Sequence, residues 1–232
     1  MLVPCIDLQG GRVVQLVRGR KLALALDDVL GQLEAFHRAG FRRVHVIDLD
    51  AAMRAGSNAR WVSRLCEHAR ARKMRVWVGG GIRTAARAAQ LLSYGAEKVI
   101  VGSAALQNGR PNLRLLAAMR RAIGRRHIVI ALDTLQGRIV IRGWKKQLRV
   151  RPQEVMPALE PYCSGFLCTY VDNEGTLRGT NLRWFAELRR VTRLPITAAG
   201  GIRSMREIRA LARLGMDAAV GMAIYKRKLA KS

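Results

Sequence analysis

The chain has 232 residues, half of them hydrophobic, which is enough to bury a substantial core in one or two domains. It carries 42 Lys and Arg against 16 Asp and Glu, a formal net charge of +26, and a field of this strength attracts polyanions. The basic residues are spread over the predicted helices and only 5% of residues are aromatic, so we expect weak, salt-sensitive adhesion but no specific nucleic-acid binding.

Short apolar runs alternate with amphipathic helical stretches along the chain. The predicted strands are Val3–Asp7, Arg43–Asp48, Arg75–Gly79, Lys98–Gly102, Ile128–Asp133, Gly165–Thr169, Pro195–Ala199 and Ala218–Gly221. The predicted helices are Asp27–Arg38, Asn58–Arg72, Thr84–Tyr94, Asn112–Gly124, Arg151–Leu159, Asn181–Val191 and Ser204–Leu214. This alternation indicates a parallel sheet and predicts an α/β fold, a closed (β/α)8 TIM barrel, with a doubly wound open sheet as the alternative. Because no linker interrupts the pattern, we expect a single domain over residues 1–232.

Four stretches recur in the same order about half a chain apart. The most informative pair is a glycine-rich segment, Val78-Gly79-Gly80-Gly81-Ile82-Arg83 and Ala198-Ala199-Gly200-Gly201-Ile202-Arg203. The other pairs are Asp7-Leu8-Gln9-Gly10-Gly11-Arg12 with Asp133-Thr134-Leu135-Gln136-Gly137-Arg138, Gly56-Ser57-Asn58 with Gly179-Thr180-Asn181, and Val101-Gly102-Ser103 with Val220-Gly221-Met222. The unit is too long for a solenoid repeat. It predicts two duplicated half-barrels, which favours the closed ring.

Each glycine-rich segment joins a strand end to a Thr or Ser that is suited to cap a helix. Converging backbone N–H groups and the helix dipole make such a junction a binding site for an anion. The two segments follow the third and seventh strands, on opposite sides of the ring, so they predict a small-molecule ligand with a phosphate at each end. The predicted binding residues are Gly80, Gly81, Arg83, Gly102, Ser103, Gly200, Gly201, Gly221 and Met222.

Two aspartates are the predicted acid–base pair. Asp7 ends the first strand and Asp133 ends the fifth, and reacting groups of such barrels cluster at these C-terminal strand ends. Facing carboxyls divide the acid and base roles when their surroundings separate their pKa values. Asp48 and Asp50 follow the second strand, where capping and ligand contact are equally compatible with the sequence.

Thr169 and Trp144 are further predicted site residues, whereas the histidines are not. Thr169 ends the sixth strand, where it is placed to hydrogen-bond a reacting group, and Trp144 lies in a polar loop, where it is placed to stack on a heterocycle. We interpret the histidines as structural or solvated and away from the active face; they are His37, His45, His68 and His127.

Cysteine usage and hydropathy predict the compartment. No apolar run approaches the roughly 20 residues that span a bilayer, and no basic segment of a signal peptide precedes the first apolar stretch. The cysteines form no CxxC pair and have no histidine at zinc-binding spacing; they are Cys5, Cys66, Cys163 and Cys168. We therefore expect buried free thiols, no metal site, no membrane partner and a cytoplasmic location.

Eight segments carry a resemblance to a known family over essentially the full chain. They are Pro4-Cys5-Ile6-Asp7-Leu8, Val46-Ile47-Asp48-Leu49-Asp50-Ala51-Ala52, Gly79-Gly80-Gly81-Ile82-Arg83, Val101-Gly102-Ser103, Ala131-Leu132-Asp133, Gly143-Trp144, Gly175-Thr176-Leu177-Arg178-Gly179-Thr180-Asn181 and Ala199-Gly200-Gly201-Ile202. Together they resemble the phosphoribosylformimino aminoimidazole carboxamide ribotide isomerases of histidine biosynthesis. The resemblance implies a half-barrel duplication, a bisphosphorylated substrate and an Amadori rearrangement of an aminoaldose to an aminoketose without a cofactor. We expect a monomer.

The resemblance also implies residue roles. Asp7 is the general base that takes the proton from the sugar C2, and Asp133 is the general acid that helps to open the furanose ring. Thr169 supports the opened intermediate, and Trp144 stacks on the substrate from a mobile loop. The family carries an aspartate before Gly-Thr in the loop after the sixth strand, where this chain has Glu174, and it commonly has an aspartate where this chain has Tyr170. The acid is therefore either Asp133 or Glu174.

Three alternatives remain at this stage. A dual-substrate relative also isomerises phosphoribosylanthranilate for tryptophan synthesis, and Asp50-Ala51-Ala52 and Gly56-Ser57-Asn58 resemble those enzymes too. The sister cyclase, which closes the imidazole ring, shares the fold and both aspartates but differs after the sixth strand. A basic nucleic-acid-binding protein on an inactive barrel is a different class, and the presence of both aspartates disfavours it.

Overall fold

The computed structural model describes residues 1–226, in which eight parallel strands close into a barrel. The strands are β1 (Leu2–Gln9), β2 (Arg43–Asp48), β3 (Arg75–Gly79), β4 (Lys98–Val101), β5 (Ile128–Leu135), β6 (Phe166–Tyr170), β7 (Ile196–Ala199) and β8 (Asp217–Val220). Each strand pairs in parallel with the next. The ring closes where Leu2 of β1 lies opposite Ala218 of β8. The predicted (β/α)8 barrel is confirmed, and the open sheet is wrong.

Helices of two turns or more connect the strands and cover the barrel. They are α1 (Val29–Arg38), α2 (Ala59–Ala71), α3 (Ala85–Ser93), α4 (Leu113–Ile123), α5 (Pro152–Leu159), α6 (Leu182–Val191) and α7 (Met205–Arg213). Side-chain caps begin several of them; for example, Asn112 accepts the N–H of Leu115 and Asn181 accepts that of Trp184. Outward strand residues such as Phe166 pack with helix residues such as Leu65 and Phe185 in one core. Within residues 1–226, no helix has the length and apolar character needed to cross a membrane.

The inside of the barrel is also packed. Trp77, Ile100, Val129, Leu167 and Ala219 are buried together there, in keeping with the layered interior of such barrels. This apolar layer lies below the C-terminal strand ends, where the interior widens into a cavity.

Two long β-hairpins extend from the C-terminal ends of the strands, beside a short one of Leu106–Gln107 and Arg110–Pro111, and the predicted elements included none of them. One, of Arg12–Val17 and Lys21–Leu26, follows β1; the other, of Arg138–Ile141 and Lys146–Gln147, follows β5. Each long hairpin turns back from its strand through two residues with positive φ, Gly10-Gly11 and Gln136-Gly137, a geometry that matches strand twist. Both long hairpins begin at matched positions of the internal repeat. The half-barrel duplication itself stays a prediction from the sequence.

Candidate active site

The C-terminal strand ends surround a cavity of about 270 Å³. Its walls include Asp7 from β1, Asp133 from β5 and Thr169 from β6, together with Glu174 and Trp144 from the loops that follow β6 and β5. The structure therefore brings together all four predicted catalytic residues and the predicted stacking aromatic. Parallel strands make this possible, because every strand ends at the same rim.

Burial raises the pKa values of two of the carboxyls well above their ordinary range. It raises the pKa of Asp7 from 3.8 to about 7. The pKa of Glu174 is also raised to about 7, first by burial and then by the negative charges of Asp7 and Asp133, while the backbone N–H of Gly201 opposes the shift. Removing a carboxylate from water disfavours its charged form, and a like charge nearby adds to that effect. Near neutral pH, the cavity consequently retains protons on its carboxyls.

Asp133 has a different environment from the other two carboxyls. Burial raises its pKa, but hydrogen bonds from Thr169 and Trp144 oppose that rise. Thr169 lies directly opposite Asp133 in the β5–β6 register, and Trp144 Nε1 donates to Asp133 Oδ2 at 2.8 Å. Both donors stabilise the ionised form. Carboxyls with unequal surroundings in one cavity are the arrangement that separates an acid from a base.

Trp144 reaches Asp133 through an unusual backbone conformation. The consecutive residues Arg142, Gly143 and Trp144 have φ values of 57°, 64° and 64°. Two of these are not glycine, and left-handed conformations of such residues cost on the order of 1–3 kcal/mol each. The indole lies against Gly19 of the other hairpin, where a Cβ would be 2.8 Å from the ring. A residue with a side chain at position 19 would thus displace Trp144, and the two hairpins meet over the cavity at this point.

We call Gly80, Gly81, Gly102 and Ser103 the first cradle; all four line the main cavity. Gly80 and Gly81 have φ values of 102° and 67°, and a Cβ on Gly80 would overlap the carbonyl oxygen of Asp48. The conformation and the contact therefore both require glycine. Thr84 then caps α3 by accepting the N–H of Arg87, so the helix N-terminus follows the glycines directly.

Arg83 and Ser103 supply the polar side chains of this end of the cavity. The Arg83 guanidinium donates to the carbonyl oxygens of Ala51 at 3.1 Å and Ala52 at 2.9 Å, and it forms no salt bridge with any described carboxylate. Ser103 Oγ accepts the backbone N–H of Arg142 at 3.0 Å, which ties the first cradle to the loop that carries Trp144. The positive charge of Arg83 is fixed in place and remains available to an anion.

We call Gly200, Gly201, Gly221 and Met222 the second cradle; together with Glu174 they line a separate small pocket of about 20 Å³. Gly200 and Gly201 have φ values of 102° and 73°, and a Cβ on Gly200 would overlap the carbonyl oxygen of Tyr170. The side-chain amide of Gln15 packs on Gly221, so closely that a Cβ there would overlap it. Glu174 borders both the small pocket and the main cavity.

The two aspartates at the C-terminal end of β2 have structural roles. Asp48 caps the short helix Leu49–Met53 by accepting the N–H of Ala51 at 3.0 Å, and it accepts the backbone and side-chain N–H groups of Asn58 at 2.8 Å each. Asp50 accepts the N–H of Gly10 at 2.7 Å and the side-chain amide of Asn58 at 2.9 Å. Of the two compatible roles, the geometry supports capping, because these hydrogen bonds hold the loop that underlies the first cradle.

Among the wall residues with polar side chains, three were not predicted as site residues: Cys5, Gln15 and His45. The prediction that His45 lies away from the active face is wrong, because it stacks on Trp77 inside the barrel with ring centroids 5.0 Å apart. Burial and then the charge of Arg43 lower its pKa to about 3, and neither ring nitrogen has a hydrogen-bond partner among the described residues. The alternation of Arg43, His45 and Ile47 along β2 was the available signal for an inward position.

The cysteines are free, as predicted. Cys66, Cys163 and Cys168 are buried, whereas Cys5 is partly exposed in the cavity. Its pKa is raised well above its ordinary value, first by burial and then by the charges of Asp7 and Glu174. The thiol is consequently neutral and is a poor nucleophile.

Comparison with known proteins identifies the family to which this chain is similar. A family model described as "Histidine biosynthesis protein" matches residues 1–230. A Myxococcus xanthus protein is 38% identical over 231 residues, covering 98% of this chain and 94% of the relative. A Methanocaldococcus jannaschii protein is 34% identical over 229 residues, covering 97% of this chain and 94% of the relative. Both are named 1-(5-phosphoribosyl)-5-((5-phosphoribosylamino)methylideneamino) imidazole-4-carboxamide isomerase. The resemblance inferred from the motifs is confirmed.

Proposed function

We propose an activity for this chain on the premise that it belongs to the histidine biosynthesis protein family, as a member of the imidazole carboxamide isomerases. The activity is a cofactor-independent Amadori rearrangement that converts a bisphosphorylated aminoaldose into the corresponding aminoketose. The observation that carries it is a set of three carboxyls of unequal environment that line one cavity between two glycine cradles. The name of the relatives contains two phosphoribosyl groups, which matches two anion sites.

The two cradles would hold the substrate across the barrel. One phosphate binds the backbone of the first cradle beside Arg83, and the other binds the second cradle at Gly200 and Gly201. Binding at both ends places the sugar between them over Asp7, and this use of remote binding energy is an effective way to orient a reacting centre. The single barrel that we propose for residues 1–232 needs no second subunit for this arrangement.

Asp7 is the proposed general base. Its pKa of about 7 makes its carboxylate basic enough to take a proton from the sugar C2 and still leaves it substantially ionised at neutral pH. For the general acid, the contacts favour Glu174 over Asp133. The negative charge of Asp7 raises the pKa of Glu174, so ionisation of the base keeps on Glu174 a proton to donate, whereas the hydrogen bonds to Asp133 oppose the rise of its pKa.

The order of proton transfers follows from these roles. Glu174 protonates the furanose ring oxygen, the C1–O bond breaks and the exocyclic nitrogen becomes an iminium. Asp7 then removes the C2 proton, and the resulting enolamine tautomerises to the aminoketose. The Asp133 carboxylate, held by Thr169 and Trp144, stabilises the positive charge of the iminium, and Trp144 also shields the opened sugar from water.

The compartment and oligomeric state are part of the proposal. A net charge of +26 repels a second copy of the chain, which supports a monomer, and the free cysteines support a cytoplasmic location. Neither the dual-substrate activity nor the cyclase activity is favoured by the isomerase names of the relatives.

The direct test is conversion of the purified bisphosphorylated aminoaldose by the purified protein, followed by NMR of the sugar carbons. We expect the aminoketose as the single product, and no turnover of phosphoribosylanthranilate at a comparable rate. Formation of no aminoketose, with the protein folded by circular dichroism, would contradict the proposal. Equal turnover of both compounds would replace it with the dual-substrate activity.

A further inference from the structure

The side chain of Gln15 lies at the boundary between the main cavity and the small pocket of the second cradle, and it has no part in the proposed proton transfers. Gln15 belongs to the hairpin strand Arg12–Val17, and its neighbour Val14 lies opposite Asp7 of β1. Its side-chain amide packs so closely on Gly221 that a Cβ there would overlap Oε1, and Gly221 lines both spaces. A ligand that extends from the second cradle to Asp7 therefore passes this amide.

The backbone of the hairpin directs Gln15 into the cavity. The register between the two hairpin strands shifts between Gln15 and Leu16, and both of these residues line the cavity wall. Such irregularities change the direction of side chains and are frequent beside active sites. The hairpin is also anchored to the loop after β6, because the backbone N–H of Arg18 donates to the carbonyl oxygen of Glu174 at 3.1 Å. Backbone contacts thus fix the position of the Gln15 amide beside the second cradle.

The buried amide has a hydrogen-bonding capacity that the described protein groups do not use. Gln15 is only 3% exposed, and the one hydrogen bond that its side chain makes within residues 1–226 is from Nε2 to the carbonyl oxygen of Val14 at 3.0 Å. A glutamine amide has two N–H donors and an acceptor oxygen. One N–H and Oε1 are therefore left over. Because buried polar groups are normally hydrogen-bonded, and an unpaired one is costly, this capacity indicates a ligand group in the cavity.

The chemistry of the amide indicates which part of a ligand it contacts. A phosphate ester offers acceptor oxygens, and the proposed donors to them are the backbone N–H groups of the second cradle. A sugar hydroxyl is both a donor and an acceptor, which matches the remaining N–H and Oε1 of Gln15. We propose that Gln15 binds a hydroxyl of the ribosyl group whose phosphate occupies the second cradle, and that this contact selects phosphoribosyl ligands over simpler phosphate esters. This assignment rests on the proposed function, because the two phosphoribosyl groups come from the names of the relatives.

The test compares two ligands on a matched pair of variants. Ribose 5-phosphate carries the sugar hydroxyls, whereas methyl phosphate is an ester phosphate without a sugar. Gln15→Met removes the amide and keeps the length of the side chain. The control is Gln147→Met in the other long hairpin, where an exposed glutamine also donates from Nε2 to a backbone carbonyl oxygen, that of Leu135 at 2.7 Å. Amide NMR shifts of Gly201 and Gly81 measure ligand affinity at the second and first cradles, and steady-state kinetics of the aminoaldose are measured in parallel.

We expect the original protein and the Gln147→Met control to prefer ribose 5-phosphate over methyl phosphate about fivefold at the second cradle, the effect of one neutral hydrogen bond. Gln15→Met should lose this preference and bind methyl phosphate as the original does. Its KM for the aminoaldose should rise about fivefold with little change in kcat, because the contact is kept from the bound substrate to the transition state. Its stability should not fall, because a buried polar group without a full set of partners is removed.

Absence of the preference in the original protein would overturn the proposal, whether or not the Gln15→Met variant folds. Equal weakening of both ligands by Gln15→Met would also overturn it, in favour of a packing role. The outcome for the proposed function is separate. Preference for ribose 5-phosphate without turnover of the aminoaldose would support the Gln15 assignment and contradict the isomerase activity, whereas turnover without the preference would do the reverse.

Discussion

The first and second cradles have nearly the same backbone and different surroundings. Gly80 and Gly200 share a φ of 102°, and each lies so close to the carbonyl oxygen of the last residue of the preceding strand that only glycine fits. The first cradle opens into a cavity of about 270 Å³, but the second lines a pocket of about 20 Å³. The difference comes from side chains, because Arg83 is held beside the first cradle, whereas its counterpart Arg203 is exposed and Glu174 and Gln15 crowd the second.

In the two cradles, the backbone serves ligand binding, whereas the side chains beside them serve the chemistry. We propose that the repeated backbone provides two anion sites, of which Arg83 makes one cationic and Glu174 makes the other sensitive to protonation. Glu174 connects the second site to the reaction because it borders both spaces. A phosphate bound in the second cradle would therefore lie beside Glu174, the carboxyl that we assign as the general acid, and would influence its protonation.

The largest effect is expected for Asp7→Asn, which removes the proposed base and leaves both cradles intact. Turnover should fall by ~10²–10⁴-fold with little change in substrate affinity, because the phosphates dominate binding. Steady-state kinetics and substrate titration measure the two quantities separately. Asp27→Asn, an exposed carboxyl paired with Arg12, serves as the control with near-normal turnover. Near-normal turnover of Asp7→Asn would remove it from the mechanism.

Gly80→Ala and Gly200→Ala test whether the two cradles are equivalent in their backbone. Each substitution should lower the free energy of unfolding by about 3 kcal/mol, because positive φ and overlap with a carbonyl oxygen both oppose a Cβ. Gly215→Ala is the control: it has a φ of 70° but no atom within 4 Å of the added Cβ, so about 1 kcal/mol is expected. Urea denaturation measures all three. If only one cradle glycine exceeded the control, the backbones would not be equivalent.

Features with a local sequence pattern could be predicted, whereas features that depend on contacts between distant residues could not. Strand–helix alternation and the glycine segments depend on local patterns, and the barrel and both cradles followed from them. The hairpin after β1 was missed because Gly10-Gly11 was assigned to the repeat rather than to a turn. The role of Asp48 depends on hydrogen bonds to Asn58, ten residues later, and the contact of Trp144 with Gly19 joins distant loops. Such contacts have no local signature.

Asp7 also links the site to stability. Its pKa rises from 3.8 to about 7 on folding, so the folded state binds a proton more tightly than the unfolded state between about pH 4 and pH 7. Stability from this residue is present at acidic pH and is lost as pH rises through 7. Asp7→Asn should therefore be more stable than the original protein by about 4 kcal/mol at pH 8, with no gain at pH 4. Thermal denaturation at both pH values measures this, and a gain independent of pH would contradict the assignment.

The smallest effect concerns the second cradle alone. Sulfate remains fully ionised from pH 6 to pH 8, whereas Glu174 ionises near pH 7 and then repels an anion at Gly201. Sulfate affinity at the second cradle should fall roughly fivefold over this range, while affinity at the first cradle stays level. Amide NMR shifts of Gly81 and Gly201 report the two sites separately. Glu174→Gln should abolish the pH dependence; if it persisted, another group would be responsible.

The most direct test of the central claim is a crystal structure of the Asp7→Asn variant with the bisphosphorylated aminoaldose bound. We predict one phosphate on Gly80, Gly81 and Ser103, the other on Gly200, Gly201 and Gly221, and the sugar C2 within contact distance of residue 7. A substrate held by a single cradle, or a sugar carbon chain directed away from residue 7 and Glu174, would contradict the account.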